Sequence, residues 1–196
     1  MSALLTLGAG ALIGTLGALS GKFDSPIFHV ADLVFSGGWS WACFAFLIGY
    51  ARQSKIESAW LASSALAIGV AVYYLLKWLS PVAPIGMTAD GMDGERISSG
   101  ILVWGIAAFL FGAPMGLFGN LARIPGIGGL SFRLLVPLIA YVETSARLKM
   151  EADTAAQFAE VTWSTTRVIA VLTALALVGH MAWEWVRSAR KRESQA

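Results

Sequence analysis

Two carboxylates carry most of the chemistry this sequence can offer. Asp32 and Glu143 each sit inside a long apolar run, where an ionisable group is costly and marks function by default. Asp32 lies in PIFHVADLVFSGGWSW, with His29 three residues before it and Ser36 and Trp39 four and seven after. On a continuous helix that spacing is one face, extended by Cys43 and Phe46. A polar face on an apolar span points into a bundle. A second reading stands beside it: Asp32 follows Pro26 closely, and an acid there suits the positive end of a helix dipole. Glu143 lies in LIAYVETSARLK, with Arg147 four residues on, and the spacing predicts an ion pair along one face. That pair is either mutually neutralised near a membrane surface or an acid held in a cavity.

A carboxylic acid in a dry cavity can protonate an alkene or epoxide, and aromatic faces stabilise the resulting cation. Glu143 and Asp32 are the candidate catalytic acids. Trp39, Trp41, Trp104, Tyr74 and Phe46 lie deep in apolar runs and are the candidate rings of a substrate cage, with His29 and Arg147 as polar contacts. The chemistry needs no cofactor and no metal. The sequence has no zinc spacing, no phosphate loop and no paired aspartate motif for magnesium. Asp90, Asp93 and Glu95 in DGMDGER are acidic but not in EF-hand order, and read as a solvated loop.

The elements that position these residues follow from composition. The chain has 196 residues, of which 57% are hydrophobic and 13% charged, and its mean hydropathy is +0.68. A soluble domain is about a quarter charged, so a disordered chain, a nucleic-acid-binding domain and an ordinary cytosolic enzyme are excluded. The pattern predicts an all-α, polytopic, multi-pass bundle in the cell membrane with about six transmembrane helices, near residues 3–20, 27–50, 58–79, 98–122, 130–148 and 165–187. Residues 1–187 read as one transmembrane domain and 188–196 as a basic cytoplasmic tail. The segment KMEADTAAQFAEVTW reads as a short interfacial helix. The tail RSARKRESQA, with Arg52, Lys55, Arg123 and Arg133 on the same side, predicts both termini in the cytoplasm. That orientation places His29, Asp32, Lys77, Trp104, Glu143, Arg147 and Trp163 in the outer half or at its rim, and predicts a polar pocket opening outward.

Glycines recur at helical spacing. Gly10, Gly14 and Gly17 share the pattern G-A-x-x-G-x-x-G with Gly112, Gly116 and Gly119. Such stripes let helices approach closely where lipid removes the hydrophobic drive to associate. The shared pattern admits an inverted repeat of three-helix halves. Pro114 and Pro137 predict kinks in the fourth and fifth spans.

Four stretches, GGWSWACFAFLIGYAR, VAVYYL, LVWGIAAFLFGAPMGLFGN and LIAYVE, resemble a family of small actinobacterial integral membrane proteins of unknown function. The resemblance covers the second to fifth spans and implies no activity. The compact, Trp-rich bundle, with eight tryptophans, also resembles the small membrane-bound terpene cyclases of bacterial drimentine-type pathways. No site residue is carried over from that group. What it implies is proton-initiated cyclisation of a prenylated small molecule taken from the bilayer. Two other classes stand beside it: a substrate-binding subunit of a vitamin-type transporter, and a structural subunit of a membrane complex. A nucleic-acid partner is excluded.

Overall fold

The computed structural model describes residues 2–23, 25–79, 94–150 and 157–193. Among these the chain is helical throughout, with no strand. The helices are α1 (Ala3–Ser20), α2 (Pro26–Ser36), α3 (Gly38–Tyr50), α4 (Lys55–Leu79), α5 (Gly94–Leu121), α6 (Ile127–Arg133), α7 (Leu135–Met150) and α8 (Gln157–Glu193). Five spans among them are long and apolar enough to cross a membrane, and a sixth is added if the bent pair α2 and α3 is one crossing. Large apolar side chains such as Leu12, Phe111, Leu172 and Leu175 are exposed along them, a surface that is a liability in water.

The chain divides into two compact units, Met1–Asn120 and Leu121–Ala196. In the first, α4 is the central helix. Its Ala62, Ala65 and Leu66 are buried with Ala45 and Ile48 of α3, and Leu7 and Trp41 pack against them. Two glycine stripes bring neighbours onto it. A Cβ built at Gly10 or Gly14 of α1 falls on the carbonyl of Ala65 or Gly69. On α5, one at Gly112 meets the Ser63 backbone, and one at Gly116 meets Ser58 and Ala62. Small residues are thus the condition for backbone contact. α5 belongs to the compact unit of α1–α4, which is not the grouping an inverted repeat of three-helix halves requires.

The second predicted span is not one helix. α2 and α3 meet at 71°, so His29, Asp32 and Ser36 do not share a helical face with Trp39, Cys43 and Phe46. The break falls at Gly37, whose backbone is extended at φ −77°, ψ 133°. Glycine is the residue most easily lost from a helix, and the carbonyls freed by the break find new donors. Trp41 Nε1 donates to Phe35 O at 2.8 Å, and Ser40 Oγ donates to Gly37 O at 2.7 Å.

Pro114 lies inside α5, which continues through it. Ser63 Oγ donates to Phe109 O at 2.9 Å in the turn before that proline. In the second unit Pro137 has no N–H to give Arg133 O, and the helix is interrupted at Leu134, between α6 and α7. Gly126, at φ 80°, precedes α6 and is the one residue with positive φ among those described. Of the segment 149–163, residues 151–156 lie outside those described, and 157–163 form the first turns of α8. At 37 residues α8 is about 55 Å long, well beyond a bilayer core of about 30 Å. Its basic end is therefore a continuation of the helix.

Candidate functional site

Asp32 is brought to the C-terminal end of α1. Its Oδ1 accepts from Ser20 Oγ at 3.5 Å, and its carboxylate is the nearest neighbour to the open side of Gly21, 3.2 Å from where a Cβ would stand. One turn earlier on α1, Gly17 faces Phe35 and the Tyr73 ring, each at 3.4 Å by the same measure. Tyr73 and Tyr74 meet edge to face with centroids 5.4 Å apart, and Lys77 Nζ stands 4.7 Å over the Tyr73 ring. One end of the first unit thus gathers a half-buried carboxylate, a hydroxyl, an ammonium and three aromatic rings. Gly21 favours the close approach of the carboxylate, because a Cβ there would press on Asp32, whereas one at Gly17 would reach ordinary contact with the rings.

The other sequence-predicted residues of this unit divide between packing and surface. Trp41 rests on Gly69 of α4 and ties the α2–α3 break by its indole N–H. Trp39 is half-buried beside Gly37. Phe46 is buried at 8% exposure, and its carbonyl faces Gly119, a turn from the opposite end of the unit. Tyr74 covers Gly100. His29 is exposed on α2, and Trp104 is 58% exposed on α5. Asp90 and Asp93 lie outside the described residues, as does the side chain of Glu95.

In the second unit Arg147 Nε donates to Glu143 Oε1 at 3.2 Å, as the i, i+4 spacing predicts. The guanidinium also lies 4.9 Å over the ring of Trp163, which is fully buried. Glu143 is therefore committed to an arginine that is itself stacked, an arrangement that joins α7 to α8. His180 stands 3.9 Å from Glu184 on an exposed stretch of α8, where Arg187 covers Trp183. Among the described residues no three His, Cys, Asp or Glu side chains stand together to hold a metal.

A polar cluster at Arg52 was not visible as such in the sequence. Arg52, between α3 and α4, is buried. Its Nη1 donates to Glu57 Oε1 at 2.7 Å, and its Nη2 donates to Thr6 Oγ1 at 2.6 Å and Ser2 O at 3.3 Å. Asn120 Nδ2, at the end of α5, donates to Arg52 O at 2.6 Å and Gln53 O at 3.3 Å. The start of α1, the end of α3, the start of α4 and the end of α5 are thereby fastened at one place. The local signal was Ser54-x-x-Glu57, a capping-box spacing. Ser54 Oγ does accept from Glu57 N at 3.4 Å, but the Glu57 carboxylate turns to Arg52 instead of back to the helix start. Arg52 is a tether for helix ends, with no ligand role implied.

Compared with protein-family models, with curated proteins and with solved structures, the chain matches none.

Proposed function

We propose that the chain is an integral membrane protein of six crossings with both termini in the cytoplasm. We propose further that the cluster around Asp32 carries out metal-independent, proton-initiated cyclisation of a prenyl chain on a small molecule. Six crossings are supported by where the ends of α1 meet later helices. Its start bonds to Arg52, just past α3, and its end bonds to Asp32 of α2. α2 and α3 therefore return the chain along the 18 residues of α1, about 27 Å. Neither is long enough to span alone: α3 has 13 residues, about 20 Å. Six crossings put both termini on one side, and the basic tail favours the cytoplasm.

The observation that carries the activity is the placement of Asp32 at Ser20 and Gly21, one turn from Phe35 and Tyr73 at Gly17. The Asp32 carboxyl gives its proton to the terminal alkene or epoxide of the chain. The neighbouring π bond attacks the cation and closes the ring. Loss of a proton back to the carboxylate ends the reaction, so the product has the mass of the substrate. Aromatic faces favour the cationic intermediates. Of the two candidate acids Asp32 is preferred, because Glu143 is engaged by Arg147.

The test is expression in a host supplied with farnesylated small molecules, with lipid extracts searched by mass spectrometry for an isomer of unchanged mass and shifted retention. The isomer is expected from the native chain and from Glu143→Gln, and is expected to be lost in Asp32→Asn. An undiminished isomer in Asp32→Asn removes the mechanism. One observation favours a second reading, a binding subunit without chemistry: Lys77 over Tyr73 gives the same end of the unit both charge signs, which suits a small zwitterion. Under that reading a ligand co-purifies unchanged and no isomer forms.

A further inference from the structure

We infer that the end of α8 beyond Trp183 binds the phosphates of anionic phospholipids, in the leaflet through which the helix leaves the membrane. The inference rests on the membrane reading above and not on the cyclisation. α8 carries two tryptophans under arginines. Arg147 of α7 lies 4.9 Å over Trp163, and Arg187 lies 4.9 Å over Trp183. The two rings are 20 residues apart on one helix, from 163 to 183, a rise of about 30 Å, which is the thickness of a hydrocarbon core. Each ring therefore stands at one face of the core, where tryptophan is favoured. Arg167 is the one Lys, Arg, Asp or Glu between them. It lies a turn from Trp163, and a helical side chain leans towards the N-terminus, so it snorkels to that same face.

The two Arg–Trp pairs differ in what answers the charge. At the first, Glu143 Oε1 accepts from Arg147 Nε at 3.2 Å, and Trp163 is fully buried. At the second, Glu184 stands 3.9 Å from His180, and among the described residues no carboxylate pairs with Arg187. Trp183 is 56% exposed, and Arg187 and Arg190 are exposed beside it. One pair is closed by its own acid; the other is open to an anion. Residues 184–193 hold Arg187, Arg190, Lys191 and Arg192 against Glu184 and Glu193. They rise about 15 Å, through a headgroup layer of roughly 5–8 Å and just past it. At 3.6 residues per turn, consecutive cations at 190–192 are spread around the helix. That collar suits headgroups that surround the helix on every side, and not a partner docked on one face. Guanidinium forks pair with phosphate oxygens, and basic clusters directly beyond a span attract anionic lipid.

The test reconstitutes the full chain in nanodiscs of phosphatidylcholine with phosphatidylglycerol as the minor lipid. Each lipid in turn carries a diazirine beside its headgroup, and adducts are mapped by mass spectrometry. Within residues 183–193 the phosphatidylglycerol probe is expected to label at least about fivefold more than the phosphatidylcholine probe at equal amounts. The preference is expected to shrink as salt rises. Arg187→Gln lowers the ratio, and Arg187→Lys, which keeps the charge and loses the planar fork, lowers it less. Glutamine at 187, 190, 191 and 192 together brings it to about one. Arg167→Gln, at the other face of the core, leaves it unchanged. Equal labelling by the two probes overturns the inference, and so does a preference that survives the fourfold change. Competition by inorganic phosphate beyond that of chloride at the same ionic strength assigns the site to free phosphate and overturns it too. A chain that does not enter the nanodiscs removes the membrane reading itself. Loss of lipid preference with isomer formation intact leaves the cyclisation standing.

Discussion

The two compact units hold their helices together by different means. In Met1–Asn120 backbones touch. Gly10 and Gly14 lie on Ala65 and Gly69, Gly112 and Gly116 lie on α4, and Arg52 bonds across 46 positions to Thr6. In Leu121–Ala196 the contact between α7 and α8 centres on one large buried ring, Trp163, under Arg147. Most polar contacts of that unit are local. Thr144 donates to Ala140 O, Thr162 to Phe158 O and Thr166 to Thr162 O, each one turn back along the same helix. The contrast has a physical source. Helices in lipid gain no hydrophobic advantage by associating, so a unit either brings backbones into contact or relies on a large side chain. Backbone contact between α1 and α4 sets Gly17 beside Tyr73, one turn from where Asp32 reaches the end of α1.

Substitutions at Gly14, Arg52, Trp41 and Glu143, with controls at Gly8 and Arg52, sharpen this comparison. The largest effect is expected from Gly14→Leu, which forces α1 off the Gly69 carbonyl. It should cost more than about 3 kcal/mol and remove the monodisperse species from detergent size-exclusion chromatography. Gly8→Leu, where a Cβ meets nothing within 4 Å, should leave that species in place. Arg52→Ala removes charged hydrogen bonds that join three elements and should cost about 2–3 kcal/mol in reversible unfolding. Arg52→Lys should not restore it, because an ammonium lacks the planar fork that reaches Glu57 and Thr6 together. Trp41→Phe keeps the ring on Gly69 and removes the bond to Phe35 O. About 1 kcal/mol is expected, with faster amide exchange confined to residues 34–38. The smallest effect belongs to the second unit. Glu143→Gln should cost less than about 1 kcal/mol, since the pair is one turn apart on a single helix and both side chains are about a quarter exposed, 24% and 29%. A loss from Glu143→Gln as large as that from Arg52→Ala would erase the distinction between the units.

Much of the helix layout was legible in the sequence. Hydropathy placed α1 and α4 closely, and the Gly10/Gly14 spacing identified the face that packs, because both are properties of consecutive residues. The pair of Glu143 and Arg147 was legible for the same reason: helical geometry alone sets two side chains four residues apart. The break at Gly37 was missed. Hydropathy runs evenly from 27 to 50, and Gly-Gly by itself does not oblige a helix to end. What stabilises the break is Trp41 donating to a carbonyl six residues back while its ring lies on Gly69. With it went the predicted single face of His29, Asp32, Ser36 and Trp39. Asp32 of these meets the end of α1.

The sequence by itself determined an apolar, all-helical chain, the positions of its long helices, the glycine faces and the local ion pair, since each depends on neighbours within a turn or two. Tertiary structure alone decided which carboxylate meets the end of α1, where α2 turns away from α3, and that Arg52 serves Thr6 and Glu57 while Asn120 holds its carbonyl. Those partners are separated by up to 68 positions. No local rule selects among the hydroxyls and amides of the chain, and the choice is made by which helix ends the close packing of α1, α3, α4 and α5 brings to one place.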